Sequence, residues 1–165
     1  MIEQDRITAF INSLDKGNAT FLDELEKKAK EDDVPIIRKD TQALLKFLLA
    51  MNKPKNILEV GCAIGFSALL MGYYSEADTK ITTIEKFEKR IPIARENFNK
   101  YDPDNKITLL EGDATDILKT LSPGYDFIIW VVLIKIVSCD RNTLFKLLYG
   151  CYLSIRFAVI SHKEG

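Results

Sequence analysis

Three short runs in this chain of 165 residues combine side-chain types and spacings that chemistry can use. In Asn56-Ile-Leu-Glu-Val-Gly-Cys-Ala-Ile-Gly-Phe-Ser67 an acidic residue, Glu59, precedes a turn made of Gly61, Cys62, Ala63, Ile64 and Gly65, with Ser67 just beyond it. Lys80-Ile-Thr-Thr-Ile84 leads into Glu85, and Ile107-Thr-Leu-Leu-Glu-Gly-Asp-Ala114 brings in Asp113 and Ala114. A carboxylate ahead of a glycine turn suits an ammonium group better than a pyrophosphate, and the free N–H groups opening the next helix suit a carboxylate. A second acid about twenty residues after the turn stands where ribose hydroxyls are bound. Asp113 offers an acceptor to an adenine amino group. Ammonium, carboxylate, ribose and adenine together, with no phosphate, describe S-adenosylmethionine. A nicotinamide dinucleotide is disfavoured, because Ala63 occupies the middle of the turn and the third glycine of that fingerprint is missing.

These residues have to be held by alternating strands and helices. Ile57, Leu58 and Val60 read as a short buried strand, and Ala68 to Met71 continue as helix after Gly61 and Gly65 let the backbone turn close to a ligand. Further strands are expected at 80–84, 107–111 and 125–129. A helix is expected from about Lys89 to Lys100, with Pro92 in its first turn, where a missing N–H costs little. Upstream, Ile7, Phe10, Ile11 and Leu14, then Phe21, Leu22 and Leu25, predict two helices broken by Asp15-Lys-Gly-Asn18. Asp32-Asp-Val-Pro35 reads as extended, since the residue before a proline avoids the helical region, and Thr41 to Met51 reads as an amphipathic helix closed by Asn52-Lys-Pro54. Ile36, Ile37 and Arg38 follow the extended segment, with packing the favoured role for the two isoleucines.

Bulk properties fit one soluble domain. The chain is 47% hydrophobic and 28% charged, with a net charge of −1, so one core is expected and no broad electrostatic footprint for nucleic acid. Local basic runs remain at Lys27, Lys28 and Lys30 and at Lys86, Lys89 and Arg90, and solvated helix faces are the favoured reading of both. Cys62, Cys139 and Cys151 have no metal or redox spacing and read as reduced thiols. No uncharged apolar run approaches a membrane span. A cytoplasmic protein without a membrane partner is expected.

From Asp33-Val-Pro-Ile-Ile37, through the Glu59 to Ser67 turn, to Tyr125-Asp-Phe-Ile-Ile129, the chain resembles the bacterial class I O-methyltransferases related to caffeoyl-CoA and catechol O-methyltransferases, and within them the branch acting on 5-hydroxyuridine of tRNA. The resemblance implies an α/β fold: a doubly wound, mostly parallel Rossmann-like sheet with helices on both faces. It also implies S-adenosyl-L-methionine as methyl donor, a divalent metal (Mg) at the acceptor oxygens, and a homodimer. The implied acceptor is a hydroxylated tRNA uridine or a small catechol-like phenol. On this reading Glu59, Gly61, Cys62, Ala63, Gly65 and Ser67 hold the methionine part, Glu85 the ribose, and Asp113 and Ala114 the adenine.

After Ile129 the pattern departs. A metal-binding aspartate is implied next, but Trp130 stands there. An Asp-Asn pair is implied after a further strand, whereas Phe157-Ala-Val-Ile-Ser161 runs into His162, the one histidine of the chain. No residue is assigned as metal ligand or catalytic base. A single domain over 1–165 is expected, with N-terminal helices at 1–52, a cofactor core at 53–129 and a divergent tail at 130–165. That tail lacks the sheet's last strands and leaves an apolar edge at Val131 to Val137 and Leu144 to Tyr152. A shifted reading frame, a short protein that binds cofactor without methylating, and a rebuilt active site account for it, in that order. The alternative to an enzyme is thus a noncatalytic cofactor-binding or interaction protein.

Overall fold

Residues 17–132 and 154–158 are described by the computed structural model. In chain order the elements are α1 (Thr20–Glu31), α2 (Lys39–Asn52), β1 (Asn56–Val60), α3 (Phe66–Tyr74), β2 (Lys80–Glu85), α4 (Ile91–Tyr101), β3 (Ile107–Glu111), α5 (Ala114–Thr120), β4 (Phe127–Val132) and β5 (Ser154–Ala158). The strands form one sheet in the order β3-β2-β1-β4-β5. Every described pairing is parallel, with Glu59 opposite Thr83 and Val60 opposite Trp130.

Strand periodicity divides the core into two layers. Ile57, Ile81, Phe127 and Ile129 join Leu22, Leu25, Leu45, Leu49, Phe66, Leu70, Met71, Ala94 and Phe98, so α1 to α4 cover one face. Leu58, Val60, Ile84, Ile128 and Trp130 pack with Ala114 and Leu118 of α5 on the other. The split follows from handedness. Crossovers from β1 to β2 to β3 advance one way and put α3 and α4 on one face, and the return from β3 to β4 puts α5 on the opposite face. Strand order therefore reverses beside β1, and ligands of such sheets bind outside the carboxyl ends of the strands at that reversal.

The expected α/β, doubly wound, parallel sheet is present, with boundary shifts that have local causes. α3 begins at Phe66, directly after Gly65, whose φ of 87° carries the turn into the helix. α4 begins at Ile91 with Pro92 in its first turn. Of Asp32 to Pro35, the first two residues form a turn with Asp33 at φ 52°, and the chain is irregular only from Val34 to Arg38. β4 runs on through Trp130 to Val132 instead of ending at Ile129, because its pairing with β1 and β5 continues. The strand expected at Phe157–Ser161 is found three residues earlier, at Ser154–Ala158, where pairing with Ile128 to Val132 sets the register. The helix expected around Ile7 to Leu14, and Cys139, Cys151, His162 and the apolar stretches after Val132, lie outside the described residues.

Candidate cofactor site

The ends of β1, β2, β3 and β4 open into a cleft of about 390 Å3. Its wall includes Gly61, Cys62, Ala63, Ser67, Glu85, Asp113 and Ala114, seven of the nine residues assigned from sequence. Glu59 and Gly65 are not part of the wall. Gly65 serves packing instead: a Cβ there would stand 2.5 Å from Cε1 and 2.7 Å from Cζ of Phe98, and its φ of 87° is left-handed. Thus Gly65 lets α3 start against α4, while Gly61, at φ 89°, lies beside the ligand space.

Glu59 lies one layer below. Fully buried on β1, it accepts a 2.5 Å hydrogen bond from the Thr83 hydroxyl of β2. Its Oε1 has no hydrogen bond among the described residues. Burial drives its carboxyl up to about 7; the Ser67 and Thr83 hydroxyls pull it down, and the charge of Glu85 adds to the rise. Ser67 links the two levels, since it lines the cleft and also acts on Glu59.

Glu85 organises the turn. Its Oε2 accepts from the Ala63 N–H at 2.7 Å, and its Oε1 accepts from Lys86 N–H at 3.0 Å and Phe87 N–H at 2.8 Å. The first bond offsets the left-handed backbone of Ala63, φ 51°, a strain of roughly 1–2 kcal/mol for a residue with a Cβ. Of about four acceptor positions on a carboxylate, three are taken by the fold, so Glu85 keeps one for a ligand hydroxyl. The Gly112 N–H donates to Glu85 O at 2.9 Å and ties the third strand end to the second.

Asp113 caps α5: its Oδ1 accepts from Thr115 N–H at 2.8 Å, and its Oδ2 pairs with Lys86 Nζ at 3.2 Å. The Thr115 backbone N–H, its hydroxyl and the Lys86 ammonium hold the Asp113 carboxyl below the usual carboxylate range. Cys62 is buried in the wall, and burial, with the charge of Glu59, pushes its thiol well up. The N-terminal turn of α3 has no side-chain cap, and Phe66 and Ser67 of that turn line the cleft. Their N–H groups suit an anionic group such as a ligand carboxylate.

The wall also holds residues that the sequence reading did not assign to the cofactor: Lys86, Phe87, Arg90, Phe66 and Val131. Lys86 and Arg90 had been read as part of a solvated basic run. The rule that strand ends form the site pointed to the segment after Glu85. The turn in which Arg90 N–H donates to Phe87 O at 2.8 Å brings the Arg90 guanidinium 5.0 Å from the centre of the Phe87 ring. Ile36 and Ile37 line the cleft and also pack against the core, so wall and packing are one role.

The implied metal does not fit the described residues. Trp130, at the position where an aspartate was implied, is buried among Val60, Ala114, Leu118 and Ile128. Asp126, earlier on the strand, accepts from the Lys55 and Asn56 N–H groups at 2.8 and 2.9 Å, at the opposite end of the sheet. Among the described residues no three His, Cys, Asp or Glu side chains gather, and a hard divalent ion needs several oxygen ligands.

A reversing parallel sheet with a glycine turn, a ribose-type acid and a capped Gly-Asp at its strand ends defines a class I methyltransferase domain. Residues 12–132 match the O-methyltransferase family model, so this chain belongs to that family. It is similar to the crystal structure of a candidate caffeoyl-CoA O-methyltransferase from Staphylococcus aureus, with 27% identity and a TM-score of 0.74 over 94% of this chain and 73% of that one. It also resembles a methyltransferase from Podospora anserina solved with S-adenosylhomocysteine bound, with 30% identity and a TM-score of 0.72 over 79% of this chain and 57% of that one. Among curated proteins it is 35% identical to the O-methyltransferase ankF of Aspergillus thermomutatus over 52% of this chain and 36% of that protein. The chain spans half or less of the length of such curated relatives.

Proposed function

We propose that this chain binds S-adenosylmethionine in the cleft and belongs to an enzyme that methylates the hydroxyl of a small, planar, largely apolar acceptor, such as a catechol-like phenol. The observation that carries the reading is the change of character along the cleft. At the β2 and β3 ends it is polar and acidic, with Glu85 and Asp113; another part of the wall, Ile36, Ile37, Phe66 and Val131, belongs to one apolar cluster. The donor's adenosine suits the first end and an apolar ring the second. A tRNA acceptor is less favoured, because each basic run is partly engaged within the chain: Lys86 pairs with Asp113, Lys30 with Glu26 and Lys27 with Glu31.

Transfer from a sulfonium is an in-line displacement, in which holding donor and acceptor oxygen at reacting distance supplies a large part of the acceleration. In this chain that work falls to the Gly61–Ser67 turn, which fixes the methionine part, to Glu85, which fixes the ribose, and to the 35–37 wall, which fixes the acceptor. No helix of the described residues is long and apolar enough to cross a membrane, and the free Cys62 thiol suits the cytoplasm.

A second reading, a donor-binding protein that transfers nothing, is favoured by the burial of Trp130 where the family's acceptor chemistry is expected. Titration calorimetry with S-adenosylhomocysteine, with and without magnesium, tests the donor site. Incubation with methyl-labelled S-adenosylmethionine and either catechol or tRNA carrying 5-hydroxyuridine tests transfer. Label in catechol supports the first reading, and label in tRNA alone overturns its acceptor. Binding that ignores magnesium, with no transfer to either, supports the second.

A further inference from the structure

Residues 34–38 give Pro35, Ile36 and Ile37 to the cleft wall, yet this stretch belongs to no helix or strand. Its last residue, Arg38, caps α2 and its carbonyl accepts from the Gln42 backbone N–H at 2.8 Å, but Pro35, Ile36 and Ile37 lie outside that helix. The stretch is tied at its two ends. The Val34 N–H donates to Ala29 O at 2.8 Å, and Ile37 O accepts from the side-chain Nε2 of Gln42 at 3.0 Å. Between them Pro35 has no N–H to give.

Gln42 is fully buried on α2, and its amide is engaged on three sides. Besides the bond to Ile37 O, Nε2 donates to Glu26 Oε2 at 3.3 Å, and Oε1 accepts from Asn18 Nδ2 at 2.7 Å. Glu26, itself buried, is paired with Lys30 at 2.6 Å and Lys39 at 2.9 Å. Burial alone would raise the Glu26 carboxyl, but the bonds from Lys30, Lys39 and Gln42 outweigh it and hold it low. An ionised acceptor on one side and a donor on the other leave the amide a single orientation. A buried amide is costly unless its bonds are met, and here one of the three fixes the cleft wall.

We propose that Gln42 is a positioning residue for the acceptor: its buried amide sets where Ile36 and Ile37 stand and so governs acceptor binding without touching the acceptor. This rests on reading the 35–37 end of the cleft as the acceptor end. Gln42→Met keeps the volume and removes all three bonds. The readouts are amide order parameters from 15N relaxation, calorimetry with S-adenosylhomocysteine, and calorimetry with catechol added to the saturated complex. The expected result has three parts: order parameters at Ile36 and Ile37 falling from about 0.85 to below about 0.6, S-adenosylhomocysteine affinity within twofold of wild type, and catechol binding at least fivefold weaker. Unchanged order at 36–37, or an equal loss of order across β1 and α3, would overturn the proposal. Catechol that fails to bind the wild type would overturn the acceptor reading, while the order parameters still decide the role of Gln42. If Gln42→Met does not fold, the wild-type chain decides: order parameters below about 0.6 at Ile36 and Ile37 refute a clamp, and rigid values there support it.

Discussion

Glu59→Gln isolates the cost of a carboxylate buried beneath the cleft. The Glu59 carboxyl is pushed to about 7 from an ordinary 4.5, chiefly by burial. An acid whose folded pKa lies above its unfolded one holds its proton more tightly when folded. The stability this contributes is present below the unfolded value and is lost as pH rises through the folded one. At about 1.4 kcal/mol per pKa unit, that gap corresponds to roughly 3 kcal/mol. Glutamine keeps the outline, still accepts the Thr83 hydroxyl and does not ionise. Its extra N–H groups add a cost of about 1–3 kcal/mol if unmet, but that cost does not vary with pH, so the signal is the slope. Urea unfolding at several pH values, followed by the fluorescence of the single, buried Trp130, gives the difference between variant and wild type. That difference should shift by roughly 3 kcal/mol in favour of the variant between pH 4.5 and 8, with the change spent by the folded value. A flat difference over this range would refute the reasoning, because Glu59 would then be ionised in the folded chain at no cost.

Other outcomes follow from the same geometry. Gly65→Ala places a Cβ against the Phe98 ring at a left-handed φ; it should cost roughly 2–5 kcal/mol in urea unfolding from the combined backbone and overpacking penalties, and unchanged stability would mean that the ring yields freely. Glu85→Ala frees three backbone N–H groups and removes the proposed ribose acceptor, so affinity for S-adenosylhomocysteine should fall by about 1–3 kcal/mol in calorimetry; equal affinity would show that the donor lies elsewhere. Cys62, buried and with its thiol pushed up, should stay unalkylated by iodoacetamide at pH 8 in the native chain and react once unfolded, as read by peptide mass spectrometry. Rapid native alkylation would show that the wall opens.

The order of elements was open to reading because it rests on local rules. Short apolar runs bounded by turns mark β1, β2 and β3, glycines mark the turn into α3, and acids at or near the strand ends mark the ligand side. Glu85 and Asp113 could be assigned at a distance because parallel strands of similar length deliver their ends to one edge of the sheet. Glu59 and Gly65 look the same in sequence as their neighbours in the wall, but they differ in depth, and depth is set by which helix covers the strand. Only α3 and α4 packed together show that Gly65 answers to Phe98 and that Glu59 sits beneath the cleft with Thr83.

The sequence by itself determined the α/β type, the glycine turn, the two acids at the strand ends and the absence of an aspartate at position 130, since each is carried by residues close together in the chain. Tertiary structure alone decided that Gly65 stands against Phe98, that Trp130 is buried under α5, and that the Gln42 amide meets Glu26 and Asn18. Those contacts depend on the crossing of elements whose relative placement comes from burial of the whole core, which no local pattern encodes.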